Sequence, residues 1–140
     1  MSALTGILDT EVRKIEETAA MSREIQKQRL THHLMPPTGW LNDPNGLCYF
    51  KGRYHVFFQY APFDAEGGLK FWGHYSSEDL VSWRYEGVPL YPDSNYDCHG
   101  VYSGSAMAKQ SSSIVWSVSG WSIGHTRERK DSATESRILQ

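Results

Sequence analysis

The 140-residue sequence carries little net charge, with 14 lysines and arginines against 16 aspartates and glutamates. The basic residues are scattered, so no positive stripe is available to neutralise the phosphates of a nucleic acid or an anionic membrane. Nucleic acid is therefore not an expected partner. No apolar run approaches the roughly 20 residues that span a bilayer. The opening stretch, Met1 to Asp9, lacks a basic region leading into an apolar core and cleavage site, so a cytoplasmic protein with no membrane partner is expected. Cysteine is scarce. Cys48 and Cys98 are the two present, without metal-like spacing, and in a reducing compartment they are expected as reduced thiols. His32, His33, His55, His99 and His125 form no ligand pattern such as two histidines one helical turn apart, so neither metal nor cofactor is expected.

What is present, 39% hydrophobic and 21% charged residues, fits one soluble globular domain. From Leu8 to about Leu30 the apolar residues Leu8, Val12, Ile15, Ala19 and Ile25 recur at three-to-four spacing, with acidic residues early and basic residues late. This predicts an amphipathic helix, which could bind a partner or pack one face on the following domain. Pro36-Pro37 and Gly39 end that pattern, and 16 of the 18 aromatic residues fall between Trp40 and Tyr102. Leu47 to Phe50, a Lys51-Gly52 turn and Arg53 to Tyr60 read as a hairpin. Lys70 to Ser77 and Ser82 to Gly87 read as two more strands. Four short antiparallel strands in sequence would make one propeller blade, and Val101 to Ala108 would open a second. After Gln110 the chain turns serine-rich and then mixed in charge, from Arg127 to Asp131, without strand punctuation.

The segment richest in chemistry is His33 to Gly46, ending Trp40-Leu41-Asn42-Asp43-Pro44-Asn45-Gly46. Retaining glycoside cleavage needs one ionised carboxylate beneath the anomeric carbon and a protonated one about 5 to 5.5 Å away. Asp43 suits the first role: flanking asparagines can donate amide hydrogen bonds to it, Pro44 fixes φ, and Gly46 permits a tight backbone turn. Asn-Asp-Pro-Asn-Gly taken alone is equally an ordinary β-turn sequence.

With the downstream segments Phe57 to Pro62, Trp72 to Ser76, Asp79 to Trp83 and Gly100 to Ala106, in that order, the chain resembles the β-fructofuranosidase family, glycoside hydrolase family 32. The resemblance runs from about Leu8 to Met107. It implies an all-β fold, a partial five-bladed β-propeller comprising the first blade and the start of a second, preceded by the amphipathic amino-terminal helix. Residues 1–31 would be the helical segment, 32–109 the incomplete propeller domain and 110–140 an atypical, poorly ordered tail. It also implies Asp43 as nucleophile, with Asn42, Gln59, Trp72 and Ser103 lining a pocket for a terminal fructosyl unit. Amides and a hydroxyl suit the hydroxyls of a furanose, and Trp40 and Trp72 offer flat apolar surfaces to its carbon face. Read without the family, Gln59 is a polar strand residue facing solvent and Ser103 a turn hydroxyl. His74 could donate to substrate or bond within the blade, and Trp83, Tyr85, Tyr54 and Phe57 read as core.

The family's Arg-Asp-Pro segment, carrying the transition-state stabiliser, and its Glu-Cys segment, carrying the acid/base, do not occur in these residues. Lys130-Asp131-Ser132 is not the former, and Asp97-Cys98 precedes the serine block. Leaving-group protonation contributes about a hundred- to ten-thousand-fold. The expectation is a hydrolase of terminal β-D-fructofuranosyl bonds in sucrose, sucrose 6-phosphate or a short fructan, truncated or frame-shifted near Gln110 and inactive alone. A cytoplasmic setting points to the phosphorylated disaccharide. The alternatives are a non-catalytic sugar-binding remnant and a fragment completed by a partner chain; oligomeric state is left open.

Overall fold

The computed structural model describes residues 2–109, 113–120 and 134–139. Helix α1 (Ala3–Met21) starts earlier than its apolar periodicity suggests, because Ser2 caps it: Thr5 N donates to Ser2 Oγ at 3.0 Å and Ser2 N donates back to Thr5 Oγ1 at 3.2 Å. This reciprocal box satisfies two otherwise orphaned amides. The helix breaks at Ser22, whose extended backbone caps a short second helix, α2 (Arg23–Lys27). A serine hydroxyl competes for backbone amides and favours such ends. The one helix expected from Leu8 to Leu30 is thus two. Val12 and Ala19 are its buried apolar positions, whereas Ile25, expected on the same face, is exposed.

Strands β1 (Trp40–Phe50), β2 (Arg53–Ala61), β3 (Phe71–Ser77) and β4 (Trp83–Leu90) form an antiparallel sheet in the order β1-β2-β3-β4. The β1–β2 turn has Lys51 at φ 48° and Gly52 at φ 78°, the left-handed pair that a two-residue hairpin requires. The strand before it is longer than the sequence reading allowed. It reaches back to Trp40 and takes in the whole Asn-Asp-Pro-Asn-Gly segment, its register interrupted between Asn42 and Asn45 and again between Asn45 and Cys48.

Strand β2 is buried from Val56 to Ala61 because both faces are covered. Val56, Phe58 and Tyr60 join Val12, Phe71, Tyr75 and Tyr91 in a cluster under α1. The helix is also tied down by hydroxyls: Tyr91 donates to Asp9 Oδ1 at 2.6 Å, and Tyr60 and Tyr85 donate to Glu16 Oε1 at 3.0 and 2.7 Å. This is the packing reading of the helix.

A second antiparallel sheet, order β5-β6-β7, is made of β5 (Val101–Lys109), β6 (Ser113–Gly120) and β7 (Thr134–Leu139). The last two lie where a strandless, poorly ordered tail was expected. Interleaved serines hid the pattern, but Ile114 and Val118, four apart and so on one strand face, are buried with Phe57, Trp72, Leu90 and Val101 in a second cluster joining the sheets. The charged stretch from Arg127 to Asp131, Ser132 and His125 fall outside the described residues. Among the described residues, no helix is long and apolar enough to cross a membrane.

Candidate active site

Asp43 sits within the double irregularity of β1 at φ 46°. A residue before proline is normally driven to extended backbone, and the left-handed region costs a residue with a Cβ about 1–2 kcal/mol, least for Asp and Asn. Such strain persists where surrounding structure over-determines it, and it concentrates at functional sites. Here it turns an exposed carboxylate out of the strand.

The carboxylate is not held by the flanking asparagines, as the sequence suggested. Its hydrogen-bond partner among the described residues is Gln59, whose Nε2 donates to Asp43 Oδ2 at 3.1 Å. The same nitrogen donates to Ser103 Oγ at 2.7 Å, and Gln59 Oε1 accepts from Asn42 Nδ2 at 3.0 Å. Asn42 Oδ1 in turn accepts from the Trp40 indole Nε1 at 2.9 Å. Trp40, Asn42, Gln59, Asp43 and Ser103, from three strands, therefore form one connected network. Gln59 is 4% exposed, so it is no solvent-facing strand residue, and its amide is committed on both sides.

Asn45 acts on the backbone. Its Nδ2 donates to the carbonyl of Asp43 at 2.6 Å, and its Oδ1 accepts from Gly104 N at 3.0 Å. One side chain thus ties the Asp43 peptide to strand β5 beside Ser103.

Trp72, expected in the pocket wall, lies elsewhere. Paired with Gln59 across β2–β3, it is 0% exposed, and its ring stacks on Phe57 with centroids 4.6 Å apart. A Cβ on Gly46 would stand 2.9 Å from Phe57 Cδ2 and 3.0 Å from Trp72 Cη2. The ring is the floor on which the Asp43 segment rests, not a surface open to a ligand. Trp40 is the exposed aromatic beside Asp43, at 41%.

Lys70 was not singled out in the sequence and carries no motif that would have marked it. It is buried, its Nζ donates to Gly67 O at 2.9 Å, and it lies 5.9 Å from the Trp40 ring centroid. Burial lowers its pKa, and the negative charges of Asp64 and Asp43 oppose that shift.

His74 bonds within the sheet. Its Nε2 is 2.9 Å from His55 Nδ1, and its ring stacks on Phe57. Burial, aided by the neighbouring His55, pushes its pKa down to about 4. Of the aromatics read as core, Phe57 is fully buried and Trp83 and Tyr85 pack on the helix-side cluster, but Tyr54 is exposed and meets Tyr49 with the two rings tilted at 55°. No cluster of three or more metal-ligating side chains occurs among the described residues. The arrangement can present one oriented carboxylate, amide and hydroxyl groups and an indole face to a polyhydroxylated ligand.

Residues 33–138 match the family described as "Glycosyl hydrolases family 32 N-terminal domain". The match begins after the helix and continues past Met107, where the resemblance was expected to stop. The sucrose-6-phosphate hydrolase of Bacillus subtilis (strain 168) is 56% identical over 77 residues, 55% of this chain and 16% of that protein. That of Vibrio alginolyticus is 42% identical over 100 residues, 71% of this chain and 21% of that protein. Among solved structures, sucrose-6-phosphate hydrolase from Lactobacillus gasseri superposes with a TM-score of 0.67 at 35% identity, over 91% of this chain and 24% of that one. The chain thus spans about a fifth of the length of the relatives it matches.

Proposed function

The chain belongs to glycoside hydrolase family 32, and from this premise we propose that it carries the nucleophile half of a retaining β-fructofuranosidase site built on the opening blades of a five-bladed propeller. Asp43 attacks the anomeric carbon of a terminal fructosyl unit, the glycosidic bond breaks towards the leaving sugar, and water releases fructose with overall retention. Asn42 and Ser103 bind the furanose hydroxyls, Trp40 offers its exposed face to the ring, and Trp72 supports the pocket from beneath. The observation that carries this reading is the grip of buried Gln59 on the exposed Asp43 carboxylate.

Sucrose 6-phosphate is the proposed substrate, supported by similarity to hydrolases of that name, with a cytoplasmic site of action. Neither Arg-Asp-Pro nor Glu-Cys occurs within these 140 residues. The linked amides and hydroxyl of Asn42, Gln59 and Ser103 favour a second reading, in which these residues bind a fructosyl sugar without turning it over.

The test is release of fructose and glucose 6-phosphate from sucrose 6-phosphate, beside trapping by β-D-fructofuranosyl fluoride, whose leaving group needs no protonation. Fructosyl adduct at Asp43 without disaccharide turnover supports a competent nucleophile lacking its acid. Turnover lost in Asp43→Ala supports an acid supplied by another chain. No adduct, with sugar binding retained, supports the second reading.

A further inference from the structure

We propose that Asn45 is a positioning residue for the nucleophile, fixing the peptide of Asp43 against strand β5 so that its carboxylate stays aligned for attack. The inference rests on Asp43 being that nucleophile.

Asp43 holds a left-handed backbone at φ 46° ahead of a proline, inside the first of two interruptions of the β1–β2 register, and Asn45 is the paired residue that separates the two. Regular ladder bonding cannot by itself impose such a conformation. Asn45 supplies the constraint from both ends of one amide, the nitrogen on Asp43 O at 2.6 Å and the oxygen on Gly104 N at 3.0 Å.

The side-chain grip and the peptide grip are anchored in the same place. Gln59 links the Asp43 carboxylate to Ser103 Oγ, and Asn45 links the Asp43 carbonyl to Gly104 N. Strand β5 therefore sets both where the Asp43 peptide lies and where its carboxylate points. The chemistry demands a two-ended group, a donor at one end and an acceptor at the other, on a side chain short enough to reach a carbonyl two residues back. Asparagine meets that requirement.

The test compares reaction of β-D-fructofuranosyl fluoride with the wild-type chain, Asn45→Asp and Asn45→Ala. In the step followed, an Asp43 carboxylate oxygen forms a bond to the anomeric carbon and fluoride departs with the electrons of the C–F bond. Adduct is counted by intact-protein mass, and the first-order trapping rate is separated from half-saturation. Asp keeps the acceptor for Gly104 and loses the donor to Asp43; Ala loses both. Misplacement of a reacting group by about 1 Å costs up to roughly a hundredfold. The expected result is trapping slowed by about ten- to a hundredfold in both variants, with half-saturation within about twofold of wild type.

Rates equal to wild type in both variants overturn the proposal and leave Asp43 as nucleophile. Losses confined to half-saturation overturn it too, since they make Asn45 a ligand contact. If Ala unfolds, Asn45→Leu joins Asn45→Asp, since it removes donor and acceptor without adding charge. A rate deficit in both supports the proposal; one confined to Asp belongs to the added charge and overturns it. A wild-type chain that forms no adduct refutes the functional reading itself and the inference with it.

Discussion

Gln59 and Asp43 meet through a single donated bond of 3.1 Å, and the same amide nitrogen reaches Ser103 on the second sheet at 2.7 Å. Leucine at position 59 would fill similar space but strand the amide of Asn42 and the hydroxyl of Ser103. Each buried polar group left unpaired costs about 1–3 kcal/mol. Gln59→Leu is therefore expected to lower unfolding free energy by about 2 kcal/mol in urea titration and to slow fructosyl-fluoride trapping. A variant as stable as wild type would show that water satisfies these groups.

Gly46 and Gly52 separate two costs that glycine replacement usually mixes. Both have positive φ, 58° and 78°, but a Cβ at Gly52 meets nothing within 4 Å, whereas one at Gly46 runs into Phe57 and Trp72. Gly52→Ala should cost the conformational share, about 1–2 kcal/mol. Gly46→Ala should add an overpacking share of about 1–3 kcal/mol. Thermal unfolding of the two variants measures the difference, and equal losses would mean the aromatic floor yields freely.

The β1–β2 hairpin and its turn were legible because local chemistry decides them: β-rich segments flank Lys51-Gly52, and few conformations close so short a connection. The segment around Asp43 was legible as a site. Its wiring was not, because the direction of an amide hydrogen bond depends on strands distant in sequence. Asn42 serves Gln59, and Asn45 serves a carbonyl and β5. Trp72 looked like a sugar platform until the β2–β3 register set it under Gly46. Strands β6 and β7 escaped notice because serine dilutes the apolar pattern, and Ile114 and Val118 of β6 complete a core shared with Phe57, Trp72, Leu90 and Val101.

Buried His74 makes acid sensitivity predictable in sign. Its pKa falls to about 4 from an ordinary value of 6.5, so between those values the unfolded chain binds a proton that the folded chain refuses. The stability it contributes is complete above about pH 6.5 and is lost as pH falls towards 4, by an amount on the order of 3 kcal/mol. His55, also lowered by burial, acts in the same direction. Melting temperature measured from pH 7 to 4 should fall, and His74→Gln should flatten the fall. An unchanged slope in the variant would place the acid sensitivity in other groups.

Glu16 presents the opposite sign. Burial raises its pKa, although hydroxyl donors from Tyr85 and Tyr60 pull the other way. A carboxyl that the fold prefers protonated stabilises most at low pH, and its contribution declines as pH rises through the raised value. Both tyrosines donate to the same oxygen, Oε1, and glutamine can keep that acceptor without the charge. Glu16→Gln is therefore expected to gain stability at pH 7.5 and to gain less at pH 5. Glu16→Ala, removing the acceptor to which both tyrosine hydroxyls donate beneath α1, should lose about 1–3 kcal/mol. Urea unfolding at the two pH values checks both, and a glutamine variant as damaged as the alanine one would mean that α1 is held by the charge of Glu16 and not by its acceptor oxygen.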